Sequence, residues 1–110
     1  MLELKDEISG NTLLVWEADF NNQLSWHEAN INCKQLGEGW RVPSVGELLM
    51  INKYFHKKGV GNFKNVYYWS NKEFDENHAL AICLQDHRPG HGTGTLGKFA
   101  CLSVRAVKTK

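Results

Sequence analysis

Hydrophobic residues recur at helical spacing in two stretches of this chain. In LSWHEANINCKQLGEGW, Trp26, Ala29, Cys33 and Leu36 fall on one helical face. In VPSVGELLMINKYF, Leu48, Ile51 and Phe55 do the same. Each stretch opens on a serine followed three residues later by a glutamate: Ser25 with Glu28, and Ser44 with Glu47. That spacing is a capping box, in which each side chain satisfies the other residue's backbone N–H at the start of a helix. Gly37 supplies a C-terminal stop for the first helix. Gly46, in the first turn of the second, costs about 1 kcal/mol relative to alanine.

The other apolar runs are short, β-branched or aromatic, and bounded by turn residues. They are TLLVWEA (Thr12–Ala18), VYYWS, ALAICL and FACLSVRAV, and each predicts a strand. Strand, helix, helix and a run of strands predict an α+β fold, with two helices packed on a mostly antiparallel sheet. No repeat, linker or low-complexity tract divides the chain, so residues 1–110 are expected to form one domain. The glycine-rich stretch Asp86–Lys98, DHRPGHGTGTLGK, is expected as a loop between the last two strands. It is too long for a tight hairpin, and long loops on rigid scaffolds often carry binding.

Composition narrows the classes of function. Four tryptophans and eight other aromatics among 110 residues supply enough burial for a folded core. A net charge of +1 gives no global field for nucleic acid or an anionic membrane. No run approaches the length of a membrane span. The opening MLELKDEISGN is charged and lacks the apolar segment of a signal peptide, which points to the cytoplasm. Three cysteines, Cys33, Cys83 and Cys101, show no C-x-x-C spacing and are expected as thiols in a reducing compartment.

HGTGTLGKF, His91–Phe99, has the G-x-x-x-x-G-K spacing of a phosphate-binding loop. Such a loop also needs a following helix and a Ser or Thr after the lysine. Phe99 holds that position and a strand pattern follows, so nucleotide binding is not expected. A zinc site built on His87 and His91 would need a third ligand from His78, Asp86 or a cysteine. Solvated histidines are the simpler expectation, and no metal or other cofactor is assigned. KEFDEN, Lys72–Asn77, is acidic but lacks the order of an EF-hand loop. Cys83 with His87 is the available thiol–imidazole pair, on a cysteine set within an apolar strand. Arg41, between the helices and beside Trp40 and Pro43, is expected to bond the Glu47 carboxylate or the carbonyls ending the first helix.

These residues form a series. LSWHEANINCKQLGEGWRVPSVGELL is similar to the pattern T/S-W-x-x-A-x-x-x-C-x-x-L…G-W-R-L-P-T/S-x-x-E-L, and YYWSN to Y-W-S-S. FACLSVRAVK is similar to a closing y-V-R-C-V-R strand. With NTLLVWEA, they make the chain resemble the bacterial Lcl C-terminal domain family from about Thr12 to Lys108. The resemblance implies a C-type-lectin-like fold with adjacent N- and C-terminal strands, two helices, two small antiparallel sheets and a long loop region where ligands bind. It implies a binding module, with some members contacting sulfated polysaccharides and many of them secreted or on the cell surface. Trp26, Trp40, Arg41, Pro43 and Glu47 are expected to be structural. The family often has a cysteine where this chain has Ala106, which leaves Cys33 without the expected disulfide partner. The E-P-N and Q-P-D signatures of calcium-dependent lectins do not occur, nor do the closely spaced catalytic cysteines of formylglycine-generating enzymes.

The expected function is non-catalytic binding of a glycan, a protein or a small anionic ligand on the loop before the last strand. The expected ligand residues are His87, Arg88, His91, Thr93, Thr95 and Lys98, with Tyr68 and Trp69 as stacking surfaces or as core. The rival classes are an enzyme of the formylglycine-generating type, using Cys83 or a metal on His78, His87 and His91, and a structural domain that acts by oligomerising.

Overall fold

The computed structural model describes residues 1–6, 9–84 and 93–110. In chain order the elements are β1 (Leu2–Lys5), β2 (Thr12–Val15), α1 (Trp26–Gln35), α2 (Val45–Tyr54), a short 3-10 turn (His56–Lys58), β3 (Tyr67–Glu73), β4 (His78–Cys83), β5 (Thr93–Gly97) and β6 (Val107–Thr109). They build an α+β globule with two antiparallel sheets, ordered β1-β2-β6 and β3-β4-β5. The Cα radius of gyration is 12.8 Å, close to the ~13 Å of a folded domain this size.

Both capping boxes form. Ser25 Oγ accepts from Glu28 N–H and Glu28 Oε1 from Ser25 N–H. Ser44 and Glu47 repeat the exchange at 3.1 and 2.8 Å. Gly37 follows Leu36, the C-cap of α1, at φ +140°, a backbone state that favours glycine.

The sheet β3-β4-β5 divides the interior. Side chains alternate faces along a strand, so Tyr68 and Trp69 point opposite ways. Tyr68 and its cross-strand neighbour Ile82 join Leu48, Ile51 and Phe55 of the α2 side. Trp69 and its neighbour Ala81 join Ala29 and Cys33 of α1, with Trp40, Ala79 and Ala106. A strand buried on both faces loses the apolar–polar alternation of a half-buried one, which is why Tyr68 and Trp69 stand side by side as consecutive aromatics.

Three segments depart from the sequence expectation. Leu2–Lys5 is a strand, paired with β2 from Leu2↔Val15 to Lys5↔Thr12. Its alternating Leu-Glu-Leu-Lys is a two-face pattern too short to stand out within a charged opening. Thr93–Gly97, expected within a loop, is a strand on the edge of the second sheet. Glycine and threonine give it little of the apolar signal by which strands are read. FACLSVRAV, expected as one strand, is regular only at its end, in β6.

The residues between are extended but change partners at almost every step. Leu102 bonds Leu24, Ser103 accepts from Trp69 N–H, Val104 from Phe20 N–H, Ala106 from Trp16 N–H, and Val107 exchanges bonds with Arg41. Val104, Arg105, Ala106 and Val107 are buried. The last segment therefore threads the centre of the molecule without forming a continuous ladder.

Candidate functional site

Of the expected ligand residues, His87, Arg88 and His91 lie outside the described residues. Thr93 and Thr95 are exposed on β5. They share a sheet face, because Thr93 pairs with Ile82 and Thr95 with Leu80, two residues apart on β4. Lys98, Tyr68 and Trp69 are elsewhere than a ligand surface requires. Tyr68 and Trp69 are each 0% exposed and offer no ring face for stacking. The Trp69 indole donates to the Leu24 carbonyl at 2.9 Å. The Tyr68 hydroxyl donates to Asp19 at 2.7 Å and accepts the Lys64 N–H. Burial first, and then the Asp19 carboxylate, push its phenol well above the ordinary range.

Lys98 is only 3% exposed. Its Nζ is held by the Glu73 carboxylate and lies 4.7 Å from the centre of the Trp26 ring. Its N–H bonds Asn77 O at 2.8 Å, and its carbonyl accepts the Trp26 N–H at 3.0 Å. The lysine of the GK pair is thus a joint between the β3–β4 turn, the start of α1 and the end of β5. A turn follows it rather than a helix, so the nucleotide-loop spacing has none of the geometry that binds phosphate.

The same joint presents an apolar ring to water. Phe99, the next residue, is 85% exposed, and Phe74 on the bonded β3–β4 turn is 64% exposed. The sequence marks Phe99 only as the residue that breaks the phosphate-loop motif, because a single phenylalanine between turn residues looks like any core anchor. At the other end of the sheet, Tyr67 reaches across to β5, where a Cβ placed on Gly94 would meet its ring at 3.1 Å.

The residues that carry the family-like pattern act as structural joints. Arg41 pairs with Glu47 through two parallel bonds of 2.6 and 2.7 Å and also donates to Thr109. The Arg41 backbone bonds Val107 in both directions, and the carbonyl of the buried Pro43 accepts the Asn71 N–H at the edge of β3. One short segment therefore ties both sheets to the start of α2. Trp26 donates to Ser70 O, and the Trp40 ring meets Trp16 edge-on at 4.9 Å.

Burial pushes the Glu47 carboxyl up, but the bonds from Arg41 and Ser44 outweigh it and hold it below its ordinary 4.5. A carboxylate depressed in the folded state contributes stability above its unfolded pKa and loses it as pH falls through the folded one. Arg41→Ala is therefore expected to lower the melting temperature by several degrees at neutral pH. The difference from the wild type should narrow as the pH drops below the carboxylate range, where both proteins lack the pair. Superimposable melting curves at neutral pH would refute the role.

Two adjoining hollows lie beside this pair, of about 130 and 260 Å3. Asp6, Glu47 and Met50 line both, and Thr109 closes one end. They fall short of the roughly 300–1,000 Å3 typical of small-molecule sites.

The described thiols are diverse in setting. Cys33 is fully buried in the α1 core, and desolvation pushes its thiol up to about 12, far from a reactive thiolate. Cys83 is half-buried at the end of β4, and Cys101 is exposed and free. His78 pairs with Asp75 at 2.8 Å, and among the described residues no three His, Cys, Asp or Glu side chains are grouped to hold a metal. No helix among the described residues is long and apolar enough to cross a membrane. The sequence matches no protein-family model and no curated protein sequence.

Proposed function

We propose that the chain is a non-catalytic glycan-binding module of C-type-lectin-like fold, which takes its ligand on the rim formed by Phe99, Phe74 and the exposed face of Thr93 and Thr95. The single observation that carries this reading is Phe99, 85% exposed on a turn that is held at both sides. Lys98 is bonded through its N–H, its carbonyl and its side chain, and Ala100 N–H bonds Gly97 O at 2.9 Å. The ring is presented by a fixed scaffold, so its exposure is built in rather than a product of a loose turn. Protruding aromatic rings accept the apolar faces of sugars, and neighbouring hydroxyls bond their oxygens. The pairing of the last strand β6 with the second strand β2, the two helices and the two small sheets support the lectin-like reading.

Phe99→Ala is the direct test. Burying a phenylalanine against a ligand contributes about 1.5–3 kcal/mol, so truncation should weaken binding about ten- to hundredfold. An array of glycans that includes sulfated polysaccharides measures this, with thermal unfolding as the control for folding. Equal signals from both proteins, or no glycan retained by the wild type, would overturn the reading.

A further inference from the structure

We propose that Lys53, Lys57, Lys58 and Lys64, set around the exposed Val60, dock this protein on the headgroups of an anionic lipid bilayer.

The net charge of +1 conceals an uneven distribution. From Leu48 to Lys72 the chain has five lysines and no aspartate or glutamate. All twelve acidic residues lie outside that stretch, with eight of the thirteen Lys and Arg, so the stretch carries +5 and the remainder −4. Four of the five lysines stand at the end of α2 and on the loop before β3, and all four are exposed. The Tyr54 ring gathers two of them, with Lys53 Nζ 5.1 Å and Lys58 Nζ 5.8 Å from its centre. A bond between the His56 ring and Asn65 closes the loop and brings Lys64 to the same end. Among the described residues no carboxylate pairs with any of the four. Asp19, which reaches this end through Tyr68, is 11% exposed and held by Arg105.

The apolar tip is fixed in place. Gly59 ends the 3-10 turn at φ +71°, with its N–H on His56 O at 3.0 Å and the Val60 N–H on Phe55 O at 2.9 Å. These are the two bonds of a Schellman motif. Gly61 follows at φ +89°, and its carbonyl accepts from Arg105 at 2.9 Å. Val60 is thus pinned on both sides and still 40% exposed. A convex turn with an apolar tip among ammonium groups suits a bilayer surface: the lysines meet the anionic headgroups, and the valine reaches toward the acyl boundary. It suits a nucleic acid less well. Lysine lacks the planar fork that grips phosphate in two places. Bases need open rings for stacking, and the Tyr54 ring is engaged by two of the lysines.

The charge asymmetry also sets the orientation, because the −4 remainder is repelled by the same surface that attracts this end. β3 runs from here, at Tyr67, to Glu73 beside Phe74, roughly 20 Å at about 3.3 Å per residue. A docked protein therefore holds the Phe99 rim away from the bilayer. Docking does not depend on glycan binding. Lysines without a lipid anchor give weak, reversible attachment that salt screens.

Co-sedimentation of the full chain with phosphatidylcholine vesicles, with and without phosphatidylserine, tests the proposal. The wild type is expected to partition onto the phosphatidylserine vesicles at low salt and to leave them at high salt. A surface lysine contributes about fivefold to such partitioning, so Lys57→Gln with Lys58→Gln should weaken it about 25-fold. Val60→Ser, at constant charge, should weaken it about threefold. Lys34→Gln, on α1, should change it little, and all variants should melt with the wild type. No retention of the wild type at low salt overturns the proposal, as does equal retention without phosphatidylserine. A double lysine variant or a Val60→Ser that partitions like the wild type overturns it too. Binding to an oligonucleotide without binding to the vesicles would assign the lysines to nucleic acid instead.

Discussion

Arg105→Ala is expected to remove about 3–5 kcal/mol of stability, the range seen when one partner of a buried ion pair is deleted. Arg105 is fully buried and every arm of its guanidinium is used. Nε donates to Asp19 at 2.8 Å, Nη1 to Trp16 O at 3.1 Å and Nη2 to Gly61 O at 2.9 Å, and the group stacks 3.9 Å from the centre of the Phe63 ring. Asp19 in turn accepts from Tyr68, whose oxygen accepts the Lys64 N–H. One side chain thus joins the end of the β2 segment, the loop before β3, β3 and the final thread. Alanine would leave the Asp19 charge and two carbonyls without their partner. Arg105→Lys keeps the charge but lacks the planar fork, so its loss should be smaller yet substantial. Urea unfolding gives the free energies. A loss under about 1 kcal/mol for alanine would place the pair with exposed ion pairs and contradict the keystone role.

Trp69→Ala should have a comparable effect, about 3–5 kcal/mol, the usual cost of emptying a buried tryptophan site. The ring shares its cluster with Ala29, Ala79, Ala81 and Ala106, all buried. Small residues leave the volume that the indole fills. Deletion therefore opens a cavity that alanines cannot close, and it also strips the Leu24 carbonyl of its indole donor. Trp69→Phe separates these contributions: most of the volume remains while the hydrogen bond goes, for a loss of about 1–3 kcal/mol. The same unfolding experiment distinguishes core from surface. A near-neutral Trp69→Ala would mean that the ring is dispensable to packing.

The contrast between these residues and Arg41 shows what kind of signal a sequence carries. Arg41 and Glu47 are six residues apart, and their pairing follows from a helix start placed just beyond a tight connection. Both capping boxes close over three residues. Arg105 looks no different from an exposed arginine in a strand pattern. Its partners Asp19 and the Trp16 carbonyl are 86 and 89 positions away, and no local periodicity records them. Lys98 is the same case. As sequence it completes a phosphate-loop spacing on a glycine-rich rim. Its burial depends on Glu73 and Trp26, brought in by the β3–β4 turn and the start of α1.

Local physical chemistry, legible residue by residue, is enough to specify the two helices with their starts, the α+β class, the β2, β3 and β4 strands and a structural role for Arg41, with Glu47 as one of its two candidate partners. Those features rest on hydrogen bonds and apolar spacing within a few positions. The division of the interior by a doubly buried sheet, the central thread of residues 102–107, the Arg105 network, the inward turn of Lys98 and the outward Phe99 are set only by the assembled fold. Each depends on which face of an element is covered, and that cover comes from segments tens of residues away in the chain.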